Sequence, residues 1–330
     1  MDMKFNEKKY LETLEKLVKS VGVSCNEKTL GISDTIFDEL SGLNKNTFID
    51  EVGNVVTIIG SGEQKIIIDA HIDEVGFIVT KKTKRGIFLG SIGLINPEVV
   101  DGSNIFCPAK NIDGKLACDN SKFLFKSTDS DLLETGDIVT FKRHFDYNTE
   151  DRIISATALD NRASCAALIE LVRQAKIYDN VTLIIAFTTK QELDLSSLPS
   201  FVDKYKPDFG IVMDAAYAQP IDFDTSEVSI PILGDGCALQ HFGYRFVVPE
   251  RVLKYISRLA VDSGIKIQNE IPPANTGKTS VNHILGKNIL SGVINIPARS
   301  QHTELSEMSL DDAIASMQLL VRVINSFKEM

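Results

Sequence analysis

Three short runs of this chain are apolar nearly throughout instead of alternating between apolar and polar residues. They lie at residues 65–70, 181–188 and 209–214. Strands that are covered on both faces have this pattern, whereas a strand with one solvated face alternates. Segments of helical length follow the runs, so that strands and helices alternate along the chain. This alternation predicts an α/β sandwich.

Four segments have the periodicity of helices. Their apolar residues recur three and four positions apart, with charged or polar residues between them. The predicted helices cover residues 10–18, 161–175, 250–263 and 313–324. Each is expected to pack one apolar face on the sheet.

The stretch of residues 75–153 interrupts the alternation. It is rich in Gly, Asp, Asn and Lys, and it contains only short strand-like pieces separated by turn signals. Such spacing is typical of a small β domain. Because 330 residues exceed the usual size of one hydrophobic core, we predict two domains. Residues 1–74 and 154–330 would form the α/β domain, and residues 75–153 an inserted β domain.

Charge and cysteine content limit the partners and the location. The formal net charge is -10, which argues against nucleic acid and anionic membranes as partners. No stretch approaches the roughly 18 uninterrupted apolar residues of a membrane span, and the N-terminus lacks the apolar segment of a signal peptide. The 5 cysteines are widely spaced and include no CxxC pair, so we predict no disulfide framework. A cytoplasmic protein is expected.

Polar side chains follow each of the three apolar runs. His71 and Asp73 come just after the first run, Gln191 and Glu192 after the second, and Asp214 ends the third. The carboxyl ends of strands in an open α/β sheet are where ligands bind. We therefore expect these side chains to lie close together, although they are distant in sequence.

Asp160, just before a predicted helix, and His302, near the end of the chain, are two further candidates. With His71, Glu192 and Asp214 they make a set of two imidazoles and three carboxylates. This set suits divalent ions such as Zn²⁺, Co²⁺ or Mn²⁺, and one carboxylate could bridge two of them. Two such ions support amide hydrolysis. Each residue alone is also common in ordinary structure, since an Asp at a strand end often caps a helix.

The same residues resemble motifs of the dinuclear metalloaminopeptidases of peptidase family M42. This family includes glutamyl, lysyl and deblocking aminopeptidases and proteins once labelled endoglucanases. Residues 70–77 (AHIDEVGF) are similar to its AHMDEVGF motif, and residues 158–162 (ALDNR) match its ALDNR motif. Residues 50–54, 207–214 and 296–302 resemble three further family segments. The resemblance covers nearly the whole chain.

The resemblance implies roles for the candidate residues. Asp160 would bridge two metal ions, zinc or cobalt with manganese as the alternative. His71 and Asp214 would complete one metal position, and Glu192 and His302 the other. The side chain of Asp73 would orient the His71 ring from behind.

The resemblance also implies an architecture. It is a three-layer α/β/α zinc-peptidase sandwich with an inserted, small β-barrel-like domain that takes part in oligomer contacts and substrate access. Family members form homo-oligomers built from dimers, up to tetrahedral dodecamers. Their substrates are short peptides.

The chain departs from the family at the position of its general base. The family has two adjacent Glu residues, the first acting as the base, where this chain has Gln191 and Glu192. A carboxamide cannot accept a proton, and losing a general base typically costs about 10²- to 10⁴-fold in rate. Lys278, in place of an Asp, and Ser300, in place of a Tyr, are further departures.

Two functions remain open. The leading one is a cytoplasmic dinuclear metal-dependent aminopeptidase that releases N-terminal residues from short peptides through metal-bound hydroxide. The alternative is a catalytically impaired, metal-binding homologue that serves as a structural or regulatory subunit of a peptidase assembly. Glycoside hydrolysis is disfavoured because the carboxylates occur with His residues and the chain has no Trp. Cys165 as a nucleophile is disfavoured because a buried Cys commonly packs as a small hydrophobe.

Overall fold

The computed structural model of the protein describes residues 5–84, 86–174, 181–220, 227–243, 245–272 and 280–327. The helices in these ranges are α1 (Glu7–Lys19), α2 (Glu27–Leu30), α3 (Ile32–Ser41), α4 (Pro97–Val100), α5 (Leu159–Gln174), α6 (Leu198–Tyr205), α7 (Glu250–Asp262), α8 (Ser280–Leu285) and α9 (Leu310–Ser326). Across the described ranges, no helix has both the length and the apolar character needed to cross a membrane.

The strands of the described residues form a large sheet, a closed barrel, and a small two-stranded sheet of the pair at residues 242–243 and 246–247. They are β1 (Thr47–Ile49), β2 (Val55–Ile59), β3 (Gln64–His71), β4 (Gly76–Thr83), β5 (Gly86–Ile92), β6 (Asn104–Cys107), β7 (Ile112–Asp119), β8 (Lys122–Lys126), β9 (Ile138–Phe141), β10 (Phe145–Asn148), β11 (Ile153–Ala156), β12 (Val181–Thr188), β13 (Phe209–Tyr217), β14 (Cys237–Gln240), β15 (Phe242–Gly243), β16 (Phe246–Val247), β17 (Ile267–Glu270), β18 (Leu290–Arg299) and β19 (Ser306–Ser309).

The large sheet is mixed, with a parallel centre. Its strand order is β1-β2-β12-β3-β13-β18-β19-β11-β10, and β14 pairs with β17 and β18. The three apolar runs form β12, β3 and β13, which are adjacent and parallel. Their side chains are buried almost throughout because helices cover both faces.

Gly210 and Ile211, which are neighbours in β13, point to opposite faces of the sheet, and a helix covers each face. A Cβ atom at Gly210 would meet the side chain of Ile284 in α8. A Cβ atom at Gly292, which pairs with Ile211, would meet Ile211 and also Ile256 in α7. Because successive strand residues point to opposite faces, α7 and α8 lie on opposite sides. The predicted α/β/α sandwich is confirmed.

A closed barrel interrupts the large sheet after β3. Its strand order is β4-β5-β8-β7-β6-β9, and β9 pairs back with β4. Phe77 lies at the centre of the barrel core, with its ring centroid 5.2 Å from that of Phe123 and 5.6 Å from that of Phe141. This small inserted barrel was also predicted.

The barrel ends earlier in the chain than the predicted insertion does. β10 pairs with β11, and β11 pairs with β19, so β10 is the edge strand of the large sheet. The predicted boundary at residue 153 therefore differs from the strand pairing, in which the last barrel strand ends at Phe141. The sequence of β10, FDYN, has no apolar run that would have marked it as part of the sheet. The division into two domains stays a prediction.

Candidate metal centre

The candidate residues lie where the parallel strands of the sheet end. His71 is the last residue of β3 and pairs with Thr188, the last residue of β12. Asp214 lies near the end of β13, and Asp160 lies in the first turn of α5. Since these strands run in the same direction, their carboxyl ends meet at one edge. The expected convergence is therefore present in the structure.

The first group consists of His71, Asp160 and Asp214. The Nε2 atom of His71 lies 3.0 Å from Oδ1 of Asp160 and 3.2 Å from Oδ1 of Asp214. All three side chains are buried. They offer one imidazole nitrogen and two carboxylate oxygens at a single point.

The second group consists of Asp160, Glu192 and His302. The Nε2 atom of His302 lies 3.2 Å from Oε2 of Glu192 and 3.4 Å from Oδ2 of Asp160. Within each group the ligand atoms lie within 4.8 Å of one another. Asp160 turns a different oxygen toward each histidine, so it belongs to both groups.

Main-chain carbonyls orient both imidazole rings. Nδ1 of His71 lies 3.1 Å from the carbonyl oxygen of Asp73, and Nδ1 of His302 lies 2.7 Å from that of Leu94. A carbonyl oxygen only accepts hydrogen bonds, so each Nδ1 carries a hydrogen. In the neutral ring Nε2 therefore carries the lone pair, and this lone pair faces carboxylate oxygens.

The carboxylates set the charge of the two rings. Burial lowers the pKa of His71, but the carboxylates of Asp214 and Asp160 raise it more strongly, to well above its usual value. The pKa of His302 is likewise raised well above its usual value, against the effect of burial, by Glu192 and Asp160. The arrangement therefore favours positive charge at both points, from a proton or from a cation.

Asp73 has a broader role in the structure than orienting His71. Its Oδ1 atom is 3.4 Å from Nδ1 of His71, farther than its own carbonyl oxygen. Its carboxylate also accepts hydrogen bonds from the N–H groups of Gln191 and Glu192, both at 3.0 Å, and from the Ser24 hydroxyl at 2.5 Å. Burial raises the pKa of Asp73, but these hydrogen bonds and His71 together hold it below its usual value.

Gln191 and Glu192 lie in a short 3-10 turn, Gln191–Leu193, that follows β12. The buried Gln191 side chain directs Nε2 toward Oδ2 of Asp214, at 3.5 Å. Glu27 holds the start of this turn, since its Oε1 atom accepts a hydrogen bond from the Lys190 N–H at 3.1 Å. The family position of the base is thus a carboxamide beside the first group.

The remaining sequence candidates differ in their relation to this site. Lys278 lies outside the described residues. Ser300 accepts hydrogen bonds at its carbonyl oxygen from the hydroxyls of Thr303 and Ser306 within the loop that carries His302. Cys165 is buried, and burial raises the pKa of its thiol to about 12, so it is no nucleophile at neutral pH.

A small cavity adjoins the second group on the side of the barrel. Its wall includes Thr140 and Phe141 from β9, and Thr157, which directly follows β11. Asp160, Glu192 and His302 line the same cavity. The barrel and the α/β unit therefore both contribute to the surroundings of the second group.

Apart from Asp73 behind His71, the contacts that hold the candidate residues in place were not predicted from the sequence. Leu94 acts through its main-chain carbonyl, which leaves no trace in residue type. Ser24 and Glu27 act through side chains, but they lie far along the chain from the motifs that they support. The signal available for them was a polar residue shortly before α2 and an acidic residue at its first position.

The M42 glutamyl aminopeptidase family matches residues 53–130 and 119–319 of the chain. A lysyl aminopeptidase of Pyrococcus furiosus is 25% identical over 97% of this chain and 98% of its own. The crystal structure of a TET aminopeptidase from a marine-sediment Thaumarchaeota archaeon has a TM-score of 0.86 at 20% identity, covering 96% of both chains. The TET1 peptidase of Pyrococcus horikoshii, which can assemble into a tetrahedron or a large octahedral shell, has a TM-score of 0.75 at 20% identity, covering 95% of this chain and 98% of that one. The chain belongs to the M42 glutamyl aminopeptidase family.

Proposed function

We propose that this protein is a dinuclear metal-dependent aminopeptidase that removes N-terminal residues from short peptides. One observation carries the proposal: Asp160 is shared between two groups that each contain one imidazole and two carboxylates. A carboxylate shared in this way suits a bridge between two cations. Membership of an aminopeptidase family supports the reaction type.

The chemistry of the donor set fits divalent cations. Imidazole and carboxylate ligands together suit Zn²⁺, Co²⁺ and Mn²⁺. Both histidines donate Nδ1–H to a carbonyl oxygen, which is the outer contact that metal-ligating histidines usually make. Without positive charge between them, the Nε2 lone pairs would face the carboxylate oxygens of Asp160, Asp214 and Glu192, which is unfavourable.

Five residues would hold two cations: His71, Asp160 and Asp214 at one position, and Asp160, Glu192 and His302 at the other. When bound, the cations would polarise the peptide carbonyl and make water reactive near neutral pH. Asp160 fixes the spacing between the two positions because its two oxygens serve different groups. Asp73 holds the turn of Gln191 and Glu192 against the strand end of His71.

Gln191 limits the proton transfers of the reaction. Its carboxamide can hydrogen-bond a water molecule or the substrate, but it neither takes a proton nor returns one to the leaving amine. This favours slow turnover, by about 10²- to 10⁴-fold relative to a site with a carboxylate there. The same observation favours the second candidate function, an impaired homologue that acts as a structural or regulatory subunit of a peptidase assembly.

We also propose a cytoplasmic homo-oligomer. The five cysteines, all within the described ranges, are free, which suits a reducing compartment. The tetrahedral or octahedral assembly of the Pyrococcus horikoshii relative and the dodecamer of PhTET1-12s support a homo-oligomer. We expect it to be built from dimers, up to a dodecamer. Light scattering of the purified protein measures its subunit number.

Metal titration followed by an activity assay tests the proposed function. Metal-free protein is titrated with Zn²⁺ and with Co²⁺, and we expect two ions per chain. The loaded protein is then assayed against a panel of aminoacyl amides, and we expect slow release of the amine that depends on the metal. Zinc, cobalt and manganese are compared to find the most effective ion.

Asp160→Asn is the informative variant, because it weakens both positions at once. We expect weaker binding of both ions and loss of amine release. Asp208→Asn is the matched control, since this exposed carboxylate precedes the same strand, β13, at its opposite end. Equal metal binding by the Asp160→Asn variant and the wild type would contradict the proposal. Two bound ions without any turnover would instead favour the subunit function.

A further inference from the structure

The His302 loop, residues 300–305 between β18 and β19, is in contact with the barrel at two places. The first is the hydrogen bond from Nδ1 of His302 to the carbonyl oxygen of Leu94, at 2.7 Å. Leu94 follows the barrel strand β5, and 208 positions separate it from His302. A ring of the second group is therefore oriented by an atom of the barrel, not by the unit that carries the ring.

The second contact is a double hydrogen bond between Asn104 and Glu304. The N–H of Asn104 donates to Oε2 of Glu304, and its Nδ2 atom donates to Oε1, both at 2.7 Å. Asn104 begins the barrel strand β6, and Glu304 lies two residues after His302. Two parallel bonds to one carboxylate restrict its orientation more than a single bond does. This pair of bonds between Asn104 and Glu304, called the clamp below, holds the His302 loop at a fixed place on the barrel.

Gly93 lies where the barrel approaches Glu192, which belongs to the second group with His302. Its φ is +81°, and an added Cβ would lie 2.7 Å from Cγ1 of Val75 and 3.4 Å from both Cβ and the carbonyl oxygen of Glu192. Only glycine allows this backbone conformation at so short a distance without strain. The residue before Leu94 is thus packed directly against Glu192.

His71 and Asp214 of the first group make contacts within the α/β unit. The Nδ1 atom of His71 is held by the carbonyl oxygen of Asp73, the next residue but one in the chain. Asp214 accepts a hydrogen bond from the N–H of Ala215, within its own strand. Both of these contacts are local to the strand ends of the α/β unit.

We propose that the inserted barrel is a positioning element for the second metal position. The Leu94 carbonyl orients His302, and Asn104 and Glu304 keep the loop of His302 at that carbonyl. Loosening the barrel contact should weaken binding at the position of Glu192 and His302 and leave the position of His71 and Asp214 almost unchanged. This inference rests on the proposed function, because it assumes that both groups bind cations.

Coupling of this kind is reciprocal. If the barrel contact strengthens binding at the second position by some factor, a cation bound there must stabilise the barrel contact by the same factor. Metal should therefore slow hydrogen exchange of the Asn104 amide, which donates to Glu304. The slowing at this amide should exceed the general slowing that bound metal gives to other barrel amides, which a role in general stability alone would not produce.

The test is a Co²⁺ titration of the metal-free, full-length protein by calorimetry. In the Glu304→Ala variant we expect one binding step to weaken by about 10- to 100-fold, the usual effect of losing an outer-shell contact, while the other step is retained. Glu307→Ala is the matched control. Glu307 is a half-buried carboxylate three positions later that bonds to Arg299 and Ser155 and not to the barrel, so both steps should match the wild type.

A double-mutant cycle shows whether the effect passes through His302. In a His302→Ala background, we expect Glu304→Ala to cause no further weakening, since the ring that it positions is gone. Equal weakening of both steps by Glu304→Ala, or additive effects of the two substitutions, would overturn the inference. A wild type that binds fewer than two ions would overturn the proposed function and this inference with it. If the wild type binds two ions and the Glu304→Ala variant binds both with the same affinities, this inference is overturned but the proposed function is not.

A second pair of variants makes the test independent of the Glu304 side chain. Gly93→Ala should displace the Leu94 carbonyl and weaken the same single step. Gly136→Ala is the control, because Gly136 also has a positive φ, +99°, in the barrel but open space around the added Cβ. Both variants carry the conformational cost of a side chain, and only the first one meets Glu192. Equal metal binding by the Gly93→Ala and Gly136→Ala variants would overturn the inference. This pair keeps the test decisive even if the Glu304→Ala protein fails to fold.

Discussion

The carboxylate of Asp73 accepts a hydrogen bond from the main-chain N–H of Gln191 at 3.0 Å. The same carboxylate approaches the His71 ring from behind, with its Oδ1 atom 3.4 Å from Nδ1. One buried side chain therefore joins the end of β3 to the turn after β12. The relative position of the two proposed metal positions depends on this joint, because His71 belongs to one and Glu192 to the other.

Asp73→Asn should weaken metal binding by about 10- to 100-fold, as the loss of an outer-shell carboxylate usually does. An amide has one acceptor oxygen where the carboxylate has two, so one N–H of the turn would face another N–H donor. Calorimetric titration with Zn²⁺ measures the change. Asp194→Asn, an exposed carboxylate at the end of the same turn, should bind as the wild type does. Unchanged affinity in Asp73→Asn would show that the joint has no effect on the site.

Residue patterns predicted the centre of this fold because local signals were strong there. The apolar runs at β3, β12 and β13 reflect burial on both faces, which leaves no choice of residue type. The edge strand β10 was not predicted as part of the sheet, since its residues are exposed or half-buried and carry little apolar signal. Strand pairing at an edge depends on neighbours that are far away in sequence.

The candidate site shows the same division between local and distant information. The five proposed ligands were chosen from residue type and motif, and the structure brings all five together. Apart from the approach of Asp73 to His71, the contacts that hold the ligands were not foreseen. The Leu94 carbonyl could be any residue's carbonyl, and Asn104 and Glu304 meet across a separation of 200 positions. Such contacts follow from tertiary packing, for which a single sequence holds no direct signal.

Glu74→Gln should lower the free energy of unfolding by about 3–5 kcal/mol, the usual cost of removing one partner of a buried ion pair. Glu74 bonds to both outer nitrogens of Arg143 and lies 3.5 Å from Nη2 of the fully buried Arg162. Burial raises the pKa of Glu74, but these two guanidinium groups hold it below its usual value. The variant leaves the Arg162 charge without its carboxylate. Chemical denaturation measures the loss.

Glu12→Gln is the control for this substitution. Glu12 pairs with Lys9 on the exposed face of α1, where solvent screens the charges, so its loss should leave stability near that of the wild type. A Glu74→Gln protein as stable as the Glu12→Gln protein would mean that the buried pair adds nothing to folding.

Asp312 should make the protein less stable as the pH rises from about 4 to about 7. Burial raises the pKa of this carboxyl to about 7, although the N–H groups of Gly234 and Gly236 donate to it and favour its charged form. The folded protein therefore binds the proton more tightly than the unfolded chain, in which an Asp has a pKa of about 3.9. The stabilising effect of the proton is complete below that value and is lost as the pH passes through the raised pKa.

Asp312→Asn removes this titration and should flatten the fall in Tm between pH 4.5 and pH 7. Thermal melts of the two proteins at several pH values measure the difference, so that other titrating groups cancel. Asp311→Asn, a neighbouring carboxylate on the exposed side of α9, should keep the slope of the wild type. An unchanged slope in Asp312→Asn would mean that this carboxyl is ionised in the folded protein across the whole range.

The Gln191 side chain differs from a Glu side chain by one atom, the amide nitrogen Nε2, and this atom prevents it from accepting a proton. Its Nε2 atom lies 3.5 Å from Oδ2 of Asp214, beside the first group and in the turn held by Asp73. A carboxylate at this position would stand next to the charge of a cation bound at the first group. Nearby positive charge lowers a carboxyl pKa, so the group would be ionised and able to accept a proton at neutral pH.

Gln191→Glu should therefore raise aminopeptidase turnover by about one to three orders of magnitude at pH 7, the range that a restored general base supplies. Release of amine from a panel of aminoacyl amides by the metal-loaded protein measures the gain. Gln191→Met is the control, because it has similar length and no proton-accepting group, and it should show no gain. If Gln191→Glu binds two ions and keeps its fold but cleaves no amide faster, the defect lies elsewhere in the site. The family substitutions at Lys278 and Ser300 then become the next positions to revert, and the role as a non-catalytic subunit becomes the better account.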